Sequence, residues 1–248
     1  MIRGTDYGYM SALARMVLVA ALGVVALVGP AAGLAGPTAP PAAARDLALT
    51  YFATGLTRAE IVTVAGRAEH DYRIDEGRLV AVRPGAIDLL ERDGTRQTIA
   101  INRKIQAGGR ILGPTVLVRG TRVVTVRDNG GPAMQVRPSN QSRVLGRGFF
   151  GPTFVRAEVL FYQGGAAHDF RIDEGRIVAA KPNSSLTLLE RDGTSQAIQI
   201  SASTIVSANG QPVDQSALVK GQTAVAIRDG DAPASQVLLA TGLTLVHK

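Results

Sequence analysis

Two stretches carry most of the residue types that could do chemistry. They are His70-Asp71-Tyr72-Arg73-Ile74-Asp75-Glu76-Gly77-Arg78 and His168-Asp169-Phe170-Arg171-Ile172-Asp173-Glu174-Gly175-Arg176. A histidine close to several carboxylates suggests a metal site or an acid–base set. Strand geometry argues against both, because His70 and Asp71 would point to opposite faces. One histidine per stretch also gives too few nitrogen ligands for a typical zinc site. The structural reading is a hairpin. Tyr72 and Ile74 pack inward, Arg73 and Asp75 face out, and Asp75-Glu76-Gly77 makes the turn. Arg73 or Arg78 then pairs with Asp75 or Glu76 at the surface. Beyond that role, the candidate binding residues are His70, Arg73, Asp75 and Arg78, with His168, Arg171, Asp173 and Arg176 in the second stretch.

Other motifs lack their chemistry. Glu-Arg-Asp-Gly-Thr occurs at 91–95 and 190–194 and reads as turn chemistry, with too few alternating oxygens for calcium. The same holds for Asp229-Gly230-Asp231. The run Gly146-Arg147-Gly148-Phe149-Phe150-Gly151 has no following Lys-Ser/Thr, so it is no phosphate loop. There is no Gly-x-Ser-x-Gly and no His-Glu-x-x-His. The expectation is no catalytic residue, no metal and no cofactor.

The elements that position these stretches repeat with them. Residues 58–84 align with 156–182 without a gap, and 16 of 27 positions are identical. Tyr51-Phe52 falls on Phe149-Phe150, Arg127-Asp128 on Arg228-Asp229, and Pro132-Ala133 on Pro233-Ala234. The period of about 100 residues is domain-sized. Short Val/Ile/Leu/Thr runs alternate with turn signals at roughly ten-residue spacing, which reads as all-β. Strands are expected at 59–64, 71–75, 78–83, 87–92, 97–101, 121–127 and 133–136. Asp93-Gly94 and Asp192-Gly193 are hairpin turns. Residues 103–114 and 206–220 are irregular, with one helical turn at 215–219. A small antiparallel barrel in each copy hides the sheet edges. The copies span 48–138 and 149–248, joined by a polar, glycine-containing linker at 139–148.

Gly77, Leu90, Asp93-Gly94, Ile99-x-Ile101, Arg119-Gly120, Val123–Val126 and Ala133-x-x-Val136 form a pattern over about 60 residues of each copy. It resembles the small β-barrel domains of unknown function common in exported bacterial proteins. The resemblance supports the fold more than any function.

Before the first copy, Met16 to Val28 is an uncharged apolar run behind Arg3 and Arg15. It reads as an export signal or, continued to Ala35, as a retained membrane anchor. Either places the later residues outside the cytoplasm. Residues 36–47 begin as a Pro/Ala linker. The chain has 248 residues and no cysteine, so disulfides, thiol catalysis and a lipidated N-terminal Cys are excluded.

Charge separates the copies. Residues 58–138 hold 14 Lys/Arg against 9 Asp/Glu, and residues 156–248 hold 8 against 9. Arg92, Arg96, Arg103, Lys104, Arg110, Arg119, Arg122 and Arg127 are expected to form a basic patch facing anionic lipid, an anionic wall polymer or another envelope protein. Nucleic acid is not expected. Single-strand binders stack bases on strand aromatics, whereas every aromatic after the linker lies in 51–72 or 149–170. The functional expectation is an exported, envelope-associated binding or assembly module without catalysis. The rivals are an enzyme acting on an envelope polymer and an architectural spacer.

Overall fold

The computed structural model describes residues 51–52, 55–107, 110–112 and 117–240. The expected signal or anchor and the Pro/Ala linker lie outside these residues, as does His247. All described residues belong to one compact unit. The fold is mostly β, and its strands form one hydrogen-bonded sheet that curls into barrel structure.

Period-two patterning builds the first strands. In β1 (Leu56–Ala65), Ala59, Ile61 and Thr63 are buried while Arg58, Glu60 and Val62 take the opposite face. β2 (Ala68–Arg83) pairs antiparallel with it, setting Glu60 opposite Arg73 and Arg58 opposite Asp75. β3 (Ala86–Glu91) and β4 (Arg96–Ala107) follow as hairpins, with Asp93-Gly94 turning between them. β5 (Arg110–Leu112) pairs with the end of β4. β6 (Arg122–Asp128) and β7 (Ala133–Pro138) are the last hairpin. β7 lies parallel to β4, and β6 returns to β2. The circuit β2–β3–β4–β7–β6–β2 is therefore a closed five-stranded barrel. Leu79, Ile87, Leu89, Ile99, Ile101, Val123 and Val136 fill it.

The same succession recurs as β8 (Phe154–Gln163), β9 (Ala166–Lys181), β10 (Ser185–Glu190), β11 (Ser195–Gln199), β12 (Ile205–Ala208), β13 (Gln211–Val213), β14 (Thr223–Asp229) and β15 (Gln236–Leu239). Here the strand matching β4 is split into β11 and β12. The circuit is closed by the parallel β12–β15 pair and by the Ala234 N–H donating to the Gln199 carbonyl at 2.8 Å. Ile177, Leu186, Leu188, Ile198 and Val237 fill this interior. The helical turn expected near 215–219 is a 3-10 turn at Gln215–Ala217.

β1 pairs antiparallel with β8, and Glu60 faces Glu158, its own counterpart in the repeat. A local two-fold axis therefore passes between these residues. It makes a four-stranded junction sheet, β2–β1–β8–β9, that joins the two barrels. One face of that sheet is covered by Phe52, Leu145, Phe150 and Phe154, packed on Ile61, Ile74, Val159 and Ile172. Leu145 belongs to α1 (Ser142–Phe149), which follows a 3-10 turn at Ser139–Gln141. The stretch expected as a polar linker is thus helical and contributes to the core. Gly146 is needed there, because a Cβ would sit 2.6 Å from Cγ of Phe52.

The turn expected at Asp75-Glu76-Gly77 does not form. β2 runs unbroken for 16 residues, and the φ of Gly77 is not positive. A Cβ on Gly77 would instead lie 2.8 Å from the Leu90 carbonyl oxygen, and one on Gly175 would lie 2.8 Å from that of Leu189. These glycines let neighbouring strands close together where a long strand leaves the junction sheet and enters a barrel wall. The face that is open in the sheet becomes interior in the barrel. Asp75 and Asp173, expected to face out, are accordingly 0% and 3% exposed.

Candidate functional site

The open face of the junction sheet gathers most of the charged residues singled out in the repeat. Arg58, Glu60 and Val62 of β1 lie beside Arg156, Glu158 and Leu160 of β8. β2 adds Asp71, Arg73 and Asp75, and β9 adds Asp169, Arg171 and Asp173. β6 and β14 contribute Arg127 and Arg228, which stand opposite Arg73 and Arg171. At each end of this face a charge cluster caps the apolar interior of a barrel.

In the first cluster Asp75 is fully satisfied. Arg73 Nε donates to its Oδ1 at 3.1 Å and Arg127 Nη2 to its Oδ2 at 2.7 Å. Arg73 Nη1 also donates to Glu60 Oε1 at 3.1 Å. Arg58 bonds Asp93 and stands 3.5 Å from Glu91. Both carboxylate oxygens of Glu91 are buried without a hydrogen bond. Burial pushes its carboxyl up to about 7, against the pull of Arg58.

The second cluster uses equivalent residues differently. Arg156 Nη1 donates to Glu190 Oε2 at 2.6 Å and also bonds Asp192. Burial still pushes Glu190 up to about 7. Arg171 turns outward and donates through Nη1 to Asp231 Oδ1 at 2.8 Å. Arg228 remains 3.5 Å from Asp173, whose Oδ2 is buried and makes no hydrogen bond. Burial raises the Asp173 carboxyl above its usual range. Beside it a cavity of about 290 Å³ opens, lined among others by Glu60, Asp71, Glu158, Arg171, Asp173 and Arg228.

The two histidines hold one end of the sheet. His70 Nδ1 lies 2.9 Å from Asp128 Oδ2 and stacks on Tyr72, with ring centres 5.6 Å apart. His168 repeats this with Asp229 at 2.9 Å and Phe170 at 5.8 Å. Each histidine ties a long strand to the last residue of the strand beside it.

A separate feature lies on the outside of the first barrel. Arg122 stands opposite Arg78, Arg78 opposite Leu90, and Leu90 opposite Arg96, so three arginines share one row across four strands. All three are exposed. Arg92 and Arg122 approach the buried Glu76 at 3.4 and 3.9 Å, and Ser142 Oγ donates to Glu76 at 2.9 Å. Burial and the neighbouring Arg92 and Arg78 lower the pKa of Arg122, so the cations crowd one another. Arg119 is exposed in the turn before β6. Arg103 and Lys104 fall within β4 and Arg110 within β5. Arg127, expected in the patch, is instead spent on Asp75. In the second copy the row reads Thr223, Arg176, Leu189 and Ser195, with one cation.

The structure therefore divides the expected binding residues. Arg73, Asp75, Arg171 and Asp173 meet on the junction sheet, while Arg78 and Arg176 lie on the barrel exteriors and the histidines at the sheet's end. Arg58, Glu60, Glu91 and their counterparts were not singled out for binding. Their signal was identity between copies, Arg58 and Glu60 with 156 and 158, and Glu91 with 190.

No protein-family model matches the chain, and no curated protein or solved structure is similar to it. What the fold defines is an all-β protein with a barrel whose interior is packed with side chains.

Proposed function

We propose that this chain is an exported, duplicated β-barrel module, without catalysis, that binds an anionic component of the cell envelope through the outer wall of its first barrel. One observation carries this reading, the cross-strand arginine row Arg122–Arg78–Leu90–Arg96. Like charges directly opposite each other on neighbouring strands are destabilising. A chain that keeps Arg78 opposite Arg122 bears that cost, and a polyanion laid across the row would relieve it. The second barrel, with a near-identical strand plan, has Thr223 and Ser195 in the corresponding places. The row is therefore not required to build the barrel. The packed interiors support a surface mode of binding. The apolar run before the first copy supports export, and the basic copy follows it in the chain.

The test is co-sedimentation of the full-length protein with native envelope fragments across a salt series. Binding should weaken steeply as salt rises, because exposed arginines are screened. The variant Arg78→Glu/Arg96→Glu/Arg122→Glu should lose at least tenfold in affinity at low salt. Retained binding by this variant would reject the row as the binding surface and favour a different contact, and absence of binding by the parent protein would favour a spacer.

A further inference from the structure

The two charge clusters are built from the same residues, yet one is closed and one is open. In the first, the guanidinium of Arg73 bridges Asp75 and Glu60, at 3.1 Å to each. In the second, the matching Arg171 has left that position. Its Nε is 3.9 Å from Glu158, and its Nη1 is held by Asp231 at 2.8 Å. One sequence difference accompanies this change. Asp231 occupies the place of Gly130 in the first copy, which has no side chain to pull Arg73 outward. Beside the second cluster opens a cavity of about 290 Å³ with Glu60, Asp71, Glu158 and Asp173 in its wall, together with Arg156, Arg171 and Arg228. Asp173 is 3% exposed, and its Oδ2 makes no hydrogen bond.

We propose that this cavity binds a guanidinium group supplied by a ligand, in the position that Arg73 holds within the first cluster. The first cluster shows the mode, a planar cation between a buried aspartate and a glutamate on the adjacent strand. A guanidinium offers five N–H donors in a fixed fork, which suits two carboxylates at once. A buried carboxylate oxygen without a donor is the group most in need of such a partner. The lining cations are already engaged, Arg171 by Asp231 and Arg156 by Glu190 and Asp192. Arg228 stands 3.5 Å from Asp173 Oδ2 and makes no hydrogen bond to it, whereas Asp75 accepts from two arginines. Arg228 Nε is also unpaired, but so is Arg127 Nε in the closed cluster, so that donor does not distinguish the two. The site is independent of the arginine row on the first barrel.

The experiment is calorimetric titration of the full-length protein with free L-arginine and with acetyl-Gly-Arg-Gly-amide. Acetyl-Gly-norleucine-Gly-amide serves as the uncharged control. Saturable binding of either arginine probe with a 1:1 stoichiometry, and none of the control, is the expected result. Preference for the peptide assigns the site to a polypeptide partner, and preference for the free amino acid to a small molecule. Asp231→Gly should release Arg171 onto Asp173 and weaken binding at least tenfold. The Asp231 side chain is 90% exposed, so its removal leaves the core intact. If Asp231→Gly alters folding, Asp173→Asn carries the test and should also weaken binding at least tenfold. Absence of saturable binding by both arginine probes, or unchanged affinity in the variant, overturns the proposal.

Discussion

Single residues at the barrel ends carry charge where a small barrel would otherwise be apolar. Glu91 and Glu190 sit last in strands whose alternate residues, Ile87 and Leu89 or Leu186 and Leu188, fill the interiors. Period two therefore carries a carboxylate into the end of the core. Both groups have carboxyls raised to about 7 by burial. The folded state then holds protons that the unfolded chain releases near its ordinary glutamate value. Their contribution to stability is full below that value and is lost as pH rises toward 7. The double variant Glu91→Gln/Glu190→Gln should flatten the fall in melting temperature between pH 5 and pH 7.5. The difference from the parent at pH 7.5 is expected to be on the order of 1 kcal/mol in favour of the variant. Thermal melts at half-unit pH steps check it, and parallel curves for variant and parent would refute it. These carboxylates were legible only as part of a duplicated turn motif, because turn chemistry accounts for Asp93-Gly94 but leaves Glu91 without a reason.

At the scale of elements, strand order and hairpin turns follow from local rules, and the departures come from tertiary packing. Asp75-Glu76-Gly77 resembles a turn because glycine after two acids signals one. In the fold, Gly77 serves the close approach of Leu90, which depends on strand pairing and is invisible to a local reading. α1 was hidden for a related reason. Its two glycines and short length suppress the helix signal, while its burial comes from Phe52 across the junction. The two glycines of this helix make opposite predictions. Gly146→Ala places a Cβ 2.6 Å from Phe52 Cγ, whereas Gly148→Ala meets nothing within 4 Å. Gly148→Ala should stabilise the protein by about 0.5–1 kcal/mol through helix propensity. Gly146→Ala should destabilise it by roughly 1–3 kcal/mol through overpacking. Chemical denaturation of the two variants side by side measures both signs. Equal effects would mean that α1 does not pack on Phe52.

At the scale of the whole molecule, the aromatic residues explain why the barrels are joined. Their confinement to 51–72 and 149–170 was readable in the sequence, and it argued only against base stacking. In the fold these segments meet at the local two-fold axis and exchange partners. Phe149 packs on Tyr72 of the first copy at 5.0 Å, and Tyr51 packs on Phe170 of the second at 4.8 Å. Phe150 touches Phe52 from one side and Phe154 from the other. Each barrel retains its own apolar interior, so the barrels could melt separately. The long strands oppose this, since β2 and β9 each belong to the junction sheet and to a barrel wall. Residues 72–75 of β2 pair with both β1 and β6, and residues 170–173 of β9 with both β8 and β14, so losing the junction removes a partner from the start of each barrel wall. Truncating the centre of the shared core therefore tests the coupling. Phe150 is 1% exposed, and Phe150→Ala should cost roughly 3 kcal/mol or more. For a chain of this size that lowers the midpoint by roughly 6–12 °C. If the junction couples the barrels, there is one calorimetric transition, and amide protection falls together in β3 and β10, which lie far from the substitution. A split transition, with one barrel's amides keeping parental protection, would show instead that the barrels fold independently and that the junction only holds them side by side.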